Sequence, residues 1–230
     1  MEVRRTAIHI LTVLIFGIYM ASPFLCLRAN RKWGALAAIL VLWLPIEFSL
    51  FRMLGVSQTT AIVVGMVAGI LAFRSRPDLL NVTAAFDLRK MRFRDAALHF
   101  ASFSAIGLPL GFAIGFIQPT VRWPSVEGIP VLLAGIFFLN ALPEEILFRG
   151  IIQHSLESVT KSPYVSLIAT ALIFGMAHLN NGSPLPNYRY FVMASLAGIA
   201  YGLAWRRHRN VLTSTITHTL VNVVWRLFLR

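Results

Sequence analysis

Apolar residues run in long stretches along this chain, separated by short polar gaps rich in arginine. A helix that crosses a bilayer needs about 20 mostly apolar residues, within a range of about 17–25. Eight stretches meet that measure, at about 6–27, 34–54, 57–73, 95–118, 129–156, 162–181, 189–206 and 210–229. The third is short, and the fifth is long enough to protrude from the bilayer. The stretches lack period-2 alternation and are about twice as long as barrel strands need to be. The pattern therefore predicts an all-α, polytopic membrane helix bundle of about eight transmembrane helices. Pro45, Pro109 and Pro143 fall inside these spans, where neighbouring helices can satisfy the freed carbonyls. Gly65-Gly69 and Ala194-Gly198-Gly202 read as faces where helices approach closely.

Composition agrees with this pattern. The chain is 57% hydrophobic and 13% charged, with mean hydropathy +0.71. Soluble domains are nearer about 45–50% apolar and about 25% charged. The expected organisation is a single integral-membrane domain, 1–230. Residues 1–94 supply N-terminal helices and a basic connector, and 95–230 a helical core. The net charge of +12 does not imply nucleic acid, because its arginines lie in the gaps between apolar runs, as in membrane loops. Cys26 is the sole cysteine, so an internal disulfide and a cysteine metal cluster are both excluded. Arg4 and Arg5 precede an apolar run longer than the about 7–15 residues of a signal peptide, so an uncleaved first helix is expected.

Charge also suggests an orientation. Lysines and arginines number 13 in the loops after the first, third, fifth and seventh spans and seven on the other side, with Arg149 left out as intramembrane. The positive-inside rule then places both termini outside the cytoplasm. The segment from Arg74 to Asp95 mixes six basic residues with Phe86, Leu88, Met91 and Phe93, which reads as an interfacial connector on an anionic leaflet. Asn81-Val82-Thr83 matches a glycosylation sequon, of little weight on the cytoplasmic side. Bacterial inner membrane is the expected location, crossed several times.

Several ionisable side chains do not fit the apolar pattern. Each ionisable group at membrane depth costs roughly 2.5–3.5 kcal/mol on insertion scales. Glu144, Glu145 and Arg149 nevertheless lie in the fifth span. Glu145 and Arg149 stand four apart on one helical face in the favourable order. Adjacent carboxylates in low dielectric resist double ionisation, so one pKa should rise toward that of a general base. Taken alone, Glu145–Arg149 reads equally well as a buried ion pair that fixes packing. His178 lies near the end of the sixth span, four residues after Phe174, which is placed to buttress it. Asn180-Asn181-Gly182 marks the stop. His218 and Asn222 again stand four apart, with donors aimed toward one point as in an oxyanion stabiliser, or serving as glue between helices. The polar run Thr213-Ser214-Thr215-Ile216-Thr217 implies a wet or protein-facing surface. Glu47 has no motif around it and reads as a packing or pairing residue.

Together these stretches, EEILFR at 144–149, FGMAH at 174–178 and HTLVN at 218–222, resemble the ordered motifs of the CPBP intramembrane proteases, the CAAX- and bacteriocin-processing (Abi) family. The resemblance covers about residues 95–230. It implies that Glu144 activates water, His178 positions or deprotonates it, and His218 and Asn222 stabilise the oxyanion. Glu145 and Arg149 would hold Glu144 and set its electrostatics. The implied function is cleavage of a peptide bond in a membrane-associated or exported protein or peptide, with no nucleic-acid partner. A metal-free glutamate mechanism is favoured. Zinc on Glu144, His178 and His218 is the alternative. Two other classes stay open: a proton-coupled transporter, which internal repeats would favour, and a non-catalytic immunity or binding protein. Span five enters from the outer side, and at about 1.5 Å per residue Glu144 lies roughly 20 Å from Val131. With His178 near the outer end of span six, the site is expected at mid-depth or in the outer half of the membrane.

Overall fold

The computed structural model describes residues 2–29, 34–76, 80 and 85–229. The sequon at 81–83 and part of the basic connector lie outside the described residues. Among the described residues there are helices and turns but no strand. The chain divides into two compact units, Met1–Leu79 and Leu80–Arg230.

The first unit holds α1 (Glu2–Ala29), α2 (Gly34–Glu47) and α3 (Gln58–Phe73). Expected span 34–54 is not one helix. Pro45 cannot donate to the preceding turn, and α2 stops two residues later. Ser49 adopts a left-handed conformation, and Leu50–Leu54 forms a 3-10 turn. The Gln58 amide donates to the Ile46 carbonyl that the helix end leaves open. Ser57 starts α3 by accepting from the Thr60 N–H. Gly65 makes room for α1 and α2, since a Cβ there would sit 2.5 Å from the Tyr19 hydroxyl and 2.7 Å from Ile46 Cδ1. The Tyr19 hydroxyl in turn donates to the Leu42 carbonyl. Glu47 accepts from the Trp43 indole, the pairing role its isolation suggests.

The second unit holds α4 (Phe93–Ala113), α5 (Gly128–Thr160), α6 (Pro163–Met176), α7 (Tyr188–Arg206) and α8 (Val211–Phe228). Three of these helices begin at side-chain caps. Ser162, Asn187 and Asn210 accept from the backbone N–H of Val165, Tyr190 and Thr213, each meeting a donor that the helix start would strand. α7 packs on α6, α4 and α8, and α8 on α4. Gly198 and Gly202 face α6 and α5. A Cβ at Gly198 would press on the Ala171 backbone, and one at Gly202 would meet Gln153 at 2.7 Å, so this is the close-contact face the spacing implies. The polar run of α8 faces protein: Thr213, Ser214, Thr215 and Thr217 are wholly buried. Ser214, Thr215 and Thr217 donate to carbonyls one turn back, which lets hydroxyls lie in an apolar interior.

One end of this unit is tied by charge. Asp95 at the start of α4 accepts from Arg207 at 3.2 Å and bonds His208 at 3.1 Å. Arg209 grips Glu157 near the end of α5 through both guanidinium nitrogens. The opposite end is joined by backbone: Thr120 and Arg122 N–H groups donate to Phe228 and Leu227 carbonyls.

Among the described residues, three helical stretches are long and apolar enough to cross a membrane by length and composition: Ile10–Ala29, Phe93–Ala113 and Gly128–Thr160. α2, α3 and α6 are apolar but shorter. α6 ends at Met176 rather than near 181, because the chain turns through Ala177–Asn181 and closes with the Asn187 N–H on the Leu179 carbonyl.

Gly175 tests the α6–α7 contact. A Cβ there would lie 2.7 Å from the Phe191 carbonyl oxygen, which is backbone and cannot rotate away. Gly175→Val is expected to destabilise the fold by at least about 1–3 kcal/mol. Gly17→Ala, where a Cβ meets nothing within 4 Å, is expected to be neutral or stabilising. Thermal unfolding in micelles measures both, and equal midpoints would refute the packing.

Candidate active site

α5 is not a uniform helix. It widens to π-helical geometry at Phe137–Ala141 and again at Ile146–Gln153, with a short α-helical stretch Leu142–Glu145 between. Pro143 offers no N–H to the turn before it, and a widened turn is one way a helix absorbs that loss. Single-turn π segments are frequent at functional sites. This irregular stretch carries Glu144, Glu145 and Arg149; Arg226, on α8, adds a cation to the cavity wall.

Glu145 and Arg149 both point into protein, and neither side chain is exposed. Arg149 Nη1 donates to Glu145 Oε1 at 3.0 Å, and Nη2 donates to the Gly198 carbonyl at 2.9 Å. The guanidinium also lies 4.8 Å from the Phe174 ring centroid and 5.3 Å from that of Tyr201, where aromatic faces attract a desolvated cation. Glu145 Oε1 accepts a second bond from His218 Nδ1 at 2.9 Å. One carboxylate oxygen thus joins α5 to α8.

Glu144 turns the other way, with its side chain 28% exposed to a cavity. Asn140, one turn earlier, donates to Glu144 Oε1 at 2.8 Å. Asn222 from α8 donates to Asn140 Oδ1. Glu144 Oε2 has no hydrogen-bond partner among the described residues and lies 3.9 Å from His218 Nε2.

The two histidines are held in similar ways. His178 Nδ1 meets the Phe174 carbonyl at 2.8 Å. That oxygen can only accept, so Nδ1 carries hydrogen and Nε2 is left to accept. His218 Nδ1 meets a carboxylate, and Tyr201 stacks on its ring at 4.4 Å and 15°. Phe174 packs against both imidazoles, at 4.6 and 5.8 Å between centroids.

Glu144, His178, His218 and Asn222 line one cavity of about 460 Å³. Its wall continues through Phe116, Tyr190 and Trp225, packed on one another at 4.5–5.8 Å. The cavity runs from the middle of α5 to the end where α6 and α8 finish. All six residues singled out in sequence are therefore here, divided between a buried set (Glu145, Arg149, with His218 at the boundary) and a cavity set. Among the described residues, no group of three His, Cys, Asp or Glu is arranged to hold a metal ion.

Sequence reasoning missed Asn140 and Tyr201. Asn140 left a signal, a polar residue in an apolar run four before Glu144. Tyr201 left none, since an aromatic in an apolar helix reads as core.

Residues 126–224 match the family model described as Type II CAAX prenyl endopeptidase Rce1-like. Over this stretch, rather under half of the chain, the sequence is similar to the Rce1-like CAAX endopeptidases of the CPBP family. The matched segment spans α5, α6, α7 and nearly all of α8, and so includes Glu144, Glu145, Arg149, His178, His218 and Asn222. The apolar helices support an integral membrane protein. No curated protein and no solved structure matches the chain.

The buried pair and the cavity carboxylate should respond differently to substitution. Arg149→Met strands a buried carboxylate and is expected to cost about 3–5 kcal/mol of stability. Glu144→Gln, on the cavity side, is expected to stay within about 0.5 kcal/mol of wild type. Denaturation in micelles compares them. An Arg149→Met protein as stable as wild type would contradict the assigned burial.

Proposed function

We propose that the protein is an intramembrane endopeptidase in which Glu144 activates water against a peptide bond. The observation that carries this reading is Glu144 Oε2: a buried carboxylate oxygen with no hydrogen-bond partner among the described residues, 3.9 Å from His218 Nε2, on a side chain that lines the same cavity as both histidines. A general base must present an unoccupied oxygen toward the water it deprotonates.

The chemistry follows from the donors. Water in the cavity gives one hydrogen to Glu144 Oε2 and the other to His178 Nε2, which orients it. As Oε2 takes the proton, the water oxygen bonds to the carbonyl carbon and the carbonyl oxygen becomes an oxyanion. Nε2–H of His218 and the second amide hydrogen of Asn222 face that oxygen. When the intermediate collapses the C–N bond breaks, and the proton held by Glu144 passes to the leaving nitrogen.

With Nδ1–H given to Glu145, His218 Nε2 can donate only when the ring carries both hydrogens, so the oxyanion role requires the imidazolium form, with Glu145 accepting from it and from Arg149.

The eight helices are taken to cross a bacterial inner membrane in alternation, with the charged turns at Lys161 and Arg206–Arg209 on the cytoplasmic side. The cavity then opens toward the outer half of the membrane. That placement suits an exported or membrane-anchored protein or peptide as substrate and does not suit a cytoplasmic prenylated tail.

Two experiments decide. Mass spectrometry of protein termini in membrane and exported fractions should reveal ends present in wild-type cells and absent in Glu144→Gln and His178→Ala cells. Identical termini would end the protease reading. Reporter fusions in the 206–209 loop should report the cytoplasm, and an external reporter would reverse the substrate side.

A further inference from the structure

We propose that Asn140 is a positioning residue for Glu144, and that Asn222 acts on Glu144 through it. The assignment rests on the protease reading for its kinetic consequence, and on geometry alone for the contact itself.

Three amide and carboxylate groups form a directed chain across the cavity wall. The Asn222 side-chain N–H donates to Asn140 Oδ1, and the Asn140 N–H donates to Glu144 Oε1 at 2.8 Å. Asn140 belongs to the π-helical stretch Phe137–Ala141; Asn222 lies 82 residues further on, in α8. The link is therefore tertiary. It joins the helix that carries the base to the helix that carries His218.

The chain discriminates between the two oxygens of Glu144. Oε1 is engaged by an amide, while Oε2 has no hydrogen-bond partner among the described residues and lies 3.9 Å from His218 Nε2. A carboxylate held at one oxygen cannot swing about its last bond, so the bridge selects which oxygen receives the proton and where it points. Hydrogen bonds to an ionised acceptor are about twice as strong as neutral ones. A donor polarised by accepting a bond of its own is strengthened further. Asn222 supplies that second bond. Its remaining N–H stays available to the oxyanion, so two functions meet in one amide.

The test has one readout that needs cleavage and one that does not. The first follows, over time, a protein terminus that Glu144→Gln abolishes. Asn140→Ala and Asn222→Ala are each expected to slow its appearance by about 10- to 100-fold, the range for losing a hydrogen bond to a charged group. The double variant should be no slower than the slower single. Asn140→Asp, which keeps the shape but loses the donor when ionised, should be slowed as well. Losses that multiply in the double variant, or wild-type rate in Asn140→Asp, would overturn the proposal. The second readout is difference infrared spectroscopy of purified protein, with the Glu144 carboxylate stretch assigned by its disappearance in Glu144→Gln. That band should move in Asn140→Ala and in Asn222→Ala. An unmoved band in Asn140→Ala refutes the contact whether or not the protein is a protease. A moved band with no differing termini in cells would sustain the contact while the protease reading falls.

Discussion

Glu145 Oε1 is the atom on which this site depends. It accepts from Arg149 at 3.0 Å and from His218 at 2.9 Å, with all three side chains at or near full burial. Burying a guanidinium and a carboxylate is expensive, and mutual attraction offsets that only when geometry and further hydrogen bonds are good. Here several further contacts exist, a backbone carbonyl from α7, an imidazole from α8 and two aromatic faces, while Glu145 Oε2 and Arg149 Nε have no hydrogen-bond partner among the described residues. The carbonyl belongs to Gly198, in the stripe where α7 approaches α6 and α5 most closely. The ion pair thus requires the small-residue stripe, and a larger residue there would push away the carbonyl Arg149 needs.

The fold distributes its polar bonds so that one end is tied and the other left open. Asp95 with Arg207 and His208, and Glu157 with Arg209, join α4, α5 and the tight α7–α8 turn by charge. At the opposite end the connections are longer, and the contacts are aromatic rings and loop backbone. A cavity can exist there because helix ends held elsewhere need not converge. The π-helical stretches of α5 lie beside that opening and turn Glu144 toward it while Glu145 stays in the interior.

Much of this was legible in the chain because charge in an apolar run stands out against its background. Glu145–Arg149 and His218–Asn222 share the spacing of one helical turn, and each pair does lie on one face. The polar run of α8 was equally readable, although only the structure separates a wet surface from the protein-facing one found. What escaped was non-local. Asn140 gains its meaning from Asn222, and no periodicity links residues so far apart. Tyr201 looks like any core aromatic until His218 is seen beneath it. Helix ends also escaped: α2 stops after Pro45 although the apolar run continues to Leu54, because hydrophobicity measures burial in the membrane and not backbone continuity.

The contrast between Glu144 and Glu145 shows how neighbours with the same side chain receive different tasks. Their positions differ by one residue, about 100° around a helix. That rotation carries one carboxylate to a guanidinium and an imidazole, and the other to an amide and open space. A carboxylate held by two cationic or proton-donating groups is a poor base, since accepting a proton would surrender both contacts. A carboxylate held by one neutral amide at one oxygen keeps the other oxygen free and gives up little on protonation. Interchanging the two would place the base where no substrate reaches and the counter-ion where Arg149 cannot. The pair works because both are present in this order, and the helix register, more than the chemistry of glutamate, assigns the roles.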